Sequence, residues 1–122
     1  MKWIVRIIQG LLMVIYFMTG FLKLSGDPTQ EQAFAEIYGY GAGFMYVVGV
    51  LEILAALGLL IGFWNRKWAI AASALIIVIM AGAVFTHLQA GQGFSVASFP
   101  FILLLFAAAV FFGQKRFNTQ PE

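Results

Sequence analysis

Four apolar runs constrain the fold of this chain more than any other feature: Trp3 to Leu24, Phe44 to Phe63, Trp68 to Leu88 and Phe94 to Gly113. Each has about the twenty residues that a helix needs to cross a hydrocarbon core of about 30 Å. Water is absent from that layer, and a helix satisfies its backbone N–H and C=O groups within one segment. The sequence therefore predicts an all-α polytopic membrane protein, an antiparallel four-helix transmembrane bundle forming a single domain over residues 1–122. Composition agrees, since 62% of the residues are hydrophobic and 10% charged, against about half and a quarter in a soluble domain. Lys2 and Arg6 stand at the start of the first run as in a signal peptide, but no small-x-small cleavage site closes it, so it reads as a span.

Charge sets the expected orientation. Lys2 and Arg6, Arg66 and Lys67, and Lys115 and Arg116 all fall on one side of four crossings. The other side has Lys23, diluted by Asp27, Glu31 and Glu36. The positive-inside rule then places both termini in the cytoplasm, with the chain integral to the cell (inner) membrane. Trp3, Trp64 and Trp68 sit at the same inner boundary, where amphipathic rings anchor. A net charge of +2, clustered at helix ends, suits orientation in a bilayer and excludes a nucleic-acid role. The chain has no cysteine and one histidine, which removes disulfides, thiolate metal sites and a bis-histidine haem. No metal site is expected from one His and one intramembrane Glu.

The long connection, Lys23 to Gly43, contains SGDPTQEQAFAEIYGYG. Asp27 can cap a helix that begins at Pro28, Gln30 completes a capping box, and Gly39 is a natural stop. A short amphipathic helix over about 28–38 is expected on the outer surface, lidding the bundle or covering helix ends.

The chemistry centres on Glu52, a carboxylate inside the second run. An ionised carboxylate in hydrocarbon costs at least ~2.5 kcal/mol, so it calls for a partner, a water pocket or a proton. On the first helix a stripe at alternating three and four spacing, Arg6, Gln9, Met13, Tyr16, Gly20 and Lys23, should point inward. Thr86 and His87 lie near the outer end of the third helix, and the fourth helix has no charge within the span. Lys23, Glu52 and His87 thus belong to the outer half, where Tyr16, Gly49, Thr86, Asp27 and Tyr38 could complete a polar, ligand-binding pocket. Two readings of Glu52 stand side by side: a proton-handling group, or a structural ion pair with Lys23 that fixes helix pairing. The Gly58 and Gly62 pair has the G-x-x-x-G spacing that admits close packing within the bundle or in a homo-oligomer.

The stretches GFLKLSGDP, GVLEILAALGLLIG and GAVFTHL, in this order, resemble the DoxX or DoxX-like family of small four-helix membrane proteins. The likeness spans nearly the whole chain and rests on Lys23 with Gly26 and Pro28, on Glu52, and on His87. It implies an integral-membrane subunit, since the best described relatives resemble the small membrane component of a thiosulfate:quinone oxidoreductase. The expectation is therefore a membrane subunit of a redox system, binding a quinone-type lipid, with the redox cofactor on a partner protein. Glu52, His87 and Lys23 would carry the proton chemistry. Two other classes remain: a small proton-coupled transporter, and a non-catalytic assembly or scaffold subunit.

Overall fold

The computed structural model describes residues 2–32, 42–89, 91 and 94–119. It contains α1 (Lys2–Leu24), α2 (Pro28–Gln32), α3 (Ala42–Ile61), α4 (Arg66–Gln89) and α5 (Phe94–Thr119). Four of these, α1, α3, α4 and α5, are long and apolar enough to cross a membrane. The protein is accordingly a multi-pass membrane protein whose helices contact the lipid bilayer.

The long helices close a ring in which α1 packs on α3, α3 on α4, α4 on α5 and α5 on α1. Both described chain ends lie at one end of the bundle, called here the terminal end; the α3–α4 turn lies there too. The interior is built from Leu12, Ala56, Leu59, Ile76, Ala107 and Val110. Large side chains such as Ile7, Phe21, Val78 and Phe112 remain outside, as lipid-facing positions should. The inward stripe of α1 is Val5, Gln9, Leu12, Tyr16, Gly20 and Lys23. Four of the six expected positions are therefore buried, while Arg6 and Met13 stand half-exposed beside them.

Close helix contacts explain the small residues of α3. A Cβ on Gly62 would lie 2.5 Å from the Cβ of Ala69 and 2.8 Å from its nitrogen, and one on Gly58 would lie 2.8 Å from the Cβ of Ala72. The G-x-x-x-G pair is therefore spent inside the bundle, bringing α3 against α4 at the terminal end.

A polar cluster secures the same end. Near the end of α3 the N–H of Phe63 donates to Leu60 at 3.2 Å, rather than to the Leu59 carbonyl four residues back. The buried Gln9 amide of α1 donates to that Leu59 carbonyl at 2.8 Å. Gln114 of α5 in turn donates to Gln9 Oε1 at 2.7 Å. One side chain thus caps a neighbouring helix and ties three helices together. Gln9→Leu is expected to cost about 1–3 kcal/mol, because it strands a buried carbonyl and a buried amide. Equilibrium unfolding in mixed micelles would measure it.

Two boundaries differ from the sequence reading for a visible physical reason. α5 runs to Thr119, past Gly113 where the apolar run ends. The added turns carry Gln114 inward, and Lys115 stands 5.7 Å from the Phe111 ring; polarity ends a span, not a helix. α4 begins at Arg66 because Asn65 acts as its cap, its Oδ1 accepting from the N–H of Lys67 at 3.2 Å. The helix expected over 28–38 is described as Pro28–Gln32; its remainder, including Tyr38, lies outside the described residues.

Candidate functional site

The site is built from the crossing of α1 and α3. A Cβ on Gly20 would lie 3.0 Å from the Gly49 carbonyl, and one on Gly49 would lie 2.9 Å from the Cβ of Lys23. Only because both positions lack side chains can the backbones approach so closely and set Lys23 directly over α3.

Lys23 stands in the last turn of α1, where a cation meets the negative end of the helix dipole. The chain then stops in a Schellman turn: Gly26 N–H donates to Lys23 at 3.2 Å and Asp27 N–H to Leu22 at 3.1 Å. Gly26 has φ 76°, a left-handed conformation that glycine adopts without strain. The turn fixes where the lysine ends.

Glu52 lies about 15 Å along α3 from its start at Ala42, at 1.5 Å per residue. Its Oε1 is 3.0 Å from Lys23 Nζ. Lys23 is 8% exposed and Glu52 3%, so the pair is sequestered from solvent. The contact is short in distance but oblique, and Oε1 has no well-directed hydrogen bond. The same holds for two neighbours on α1, the Tyr16 hydroxyl and the Thr19 hydroxyl. Each such buried polar group costs about 1–3 kcal/mol if nothing receives it. Gln114 Oε1, in the tie at the terminal end, is likewise without a partner, but these three face one space.

They open into a cavity of about 680 Å³, within the usual range for small-molecule sites. Tyr16, Thr19, Lys23 and Glu52 form its polar wall. Thr86 and His87 come from α4, Pro100 and Leu103 from α5, and Val48 and Leu51 from α3. A Cβ on Gly82, another lining residue, would meet no heavy atom within 4 Å. The small residues Gly82 and Ala83 of α4 leave room on that side of the cavity.

Of the expected site residues, Glu52, His87, Lys23, Tyr16 and Thr86 therefore share one cavity. Gly49 does not line it; its contribution is the close approach that seats Lys23. Asp27 also lies off the cavity wall, since the Schellman turn carries the chain past it, and Thr29 lines the rim instead. Thr19 was missed, although its spacing from Tyr16 and Lys23 puts it on their face. Pro100 and Leu103 had no polar signal at all and became wall residues through packing.

The geometry defines a class: a polytopic four-helix membrane protein with a buried lysine–glutamate pair at the wall of an intramembrane cavity. The model of the DoxX-like family matches residues 7–110, and the chain belongs to that family. It is 37% identical over 95 residues to the uncharacterized protein YdgD of Bacillus subtilis (strain 168), a match covering 77% of this chain and 82% of that protein. No solved structure matches.

Proposed function

We propose that this protein is a membrane subunit of a redox system that binds a quinone-type lipid in the cavity between Lys23, Glu52 and His87. The observation that carries this reading is the two buried hydroxyls without hydrogen-bond partners, on Tyr16 and Thr19, beside the Lys23–Glu52 ion pair and facing a ligand-sized space. The two hydroxyls can donate to ring oxygens. Glu52 is placed to accept and return a proton, Lys23 to compensate its charge, and His87 to pass the proton on or hold the second ring oxygen. A quinone that becomes a quinol takes up two electrons and two protons; in this reading a partner protein supplies the electrons. The six cations at the terminal end support a cell-membrane location with cytoplasmic termini, which puts the cavity in the outer half.

Glu52→Gln, checked for normal insertion, is expected to lower quinone reduction in the intact complex on the order of 100-fold, the scale of a lost acid–base group. His87→Ala should give a smaller loss. Wild-type rates from both variants would refute the reading.

The close Lys23–Glu52 contact, 3.0 Å, favours a second reading, in which the pair is structural and the protein an assembly subunit. Under it, replacing both residues with apolar ones leaves the function of the complex intact.

A further inference from the structure

The cavity does not end at its polar wall. On α3 it takes Phe44 to Glu52, and on α4 Val78 to His87. A second hollow of about 360 Å³ takes Leu54 to Ile61 of α3 and Trp68 to Leu75 of α4. Because the two helices are antiparallel, the ranges adjoin on both, and the hollow lies next to the cavity along the same seam. Its lining is nearly all apolar. Leu54, Leu57, Ile61 and Trp68 are exposed on the surface of the bundle, so the seam faces the acyl chains of the bilayer. Val78 and Phe85 at the cavity's own edge are exposed as well, and the space is therefore open sideways.

Two features select an occupant. Lys23 and Glu52 already neutralise one another, so a charged head would leave an unmatched charge among apolar walls. The hydroxyls of Tyr16 and Thr19 need oxygen acceptors. From Glu52 to Ile61 the seam extends about 14 Å at 1.5 Å per residue. We infer that cavity and hollow together hold one membrane amphiphile, its neutral, oxygen-bearing head at Tyr16, Thr19 and Glu52 and its single apolar tail along the α3–α4 seam, reached sideways from the bilayer. This rests on the cavity being a ligand site, as proposed above, and adds which part of the ligand lies where.

The test uses the full chain in lipid nanodiscs and two probes with one benzoquinone head, one tailless and one with a decyl tail carrying a terminal diazirine. Illumination should label peptides from 54–61 and 68–75. Trp68 lines the hollow, and binding is read from tryptophan quenching. Ala71→Phe, at an exposed position of the hollow, should weaken the decyl probe about tenfold and leave the tailless probe unchanged. Comparing variant with wild type cancels partition into the bilayer. Leu75→Phe, which adds no tryptophan to the reporter, provides a second block if Ala71→Phe folds poorly. Label elsewhere, or equal binding of the decyl probe to wild type and blocked variants, overturns the tail placement; tailless-probe binding lost in Glu52→Gln then shows that the head site survives. If neither probe binds the wild type, the ligand reading of the cavity falls, and this inference with it.

Discussion

Replacing Lys23 with methionine is expected to destabilise the protein by about 3–5 kcal/mol, because it leaves Glu52 buried without its counter-charge. The double variant Lys23→Met, Glu52→Leu should recover most of that loss. A buried ion pair gains little over well-packed apolar side chains once the desolvation of both charges is counted. Unfolding in mixed micelles gives the stabilities of the single and double variants, and the cycle isolates the coupling between the two residues. The double variant also separates the two functional readings. A scaffold keeps its function once stability returns; a proton-handling site does not. Recovery of stability with full activity in the complex would remove Glu52 from any chemistry.

The second large effect is expected at the opposite end. In Gly62→Leu the new Cβ would enter the space of Ala69, 2.5 Å from its Cβ and 2.9 Å from its Cα. Two of the nearest atoms there are backbone, so relief requires α3 and α4 to part. The cost should reach about 3 kcal/mol, the upper range for overpacking. Gly62→Ala should cost less, and Ala69→Gly should rescue it in part by removing one of the clashing atoms. A rescue that fails completely would mean that the helices are held apart by something other than this contact.

The spans were legible because hydropathy is a property of long windows, and the four runs stay apolar on every side over about twenty residues, which an amphipathic soluble helix does not. The counter-charge of Glu52 was legible too, since few residues in the spans can compensate a carboxylate. Lys23 and His87, which line the same cavity, lie at helix ends whose level follows from counting crossings. What sequence could not show depends on helix rotation and on neighbours. Gly49 shares a face with Glu52, but whether that face meets ligand or a second backbone is decided by the tilt of α1. Thr19 was available by spacing and obscured by the more conspicuous Gly20 beside it. Pro100 and Leu103 became cavity walls through the packing of α5, which no local pattern encodes. Gln114 lay beyond the apolar run, and its bond to Gln9 spans nearly the whole chain.

The glycine contacts of Gly58 and Gly62 have a mechanical consequence for the cavity. With no side chains between them at Gly58 and Gly62, α3 and α4 lie as close there as their backbones allow. Neither glycine lines the cavity, yet a larger side chain at either would push apart the two helices that form one of its walls. The shape of the cavity thus depends on residues that never touch what it holds.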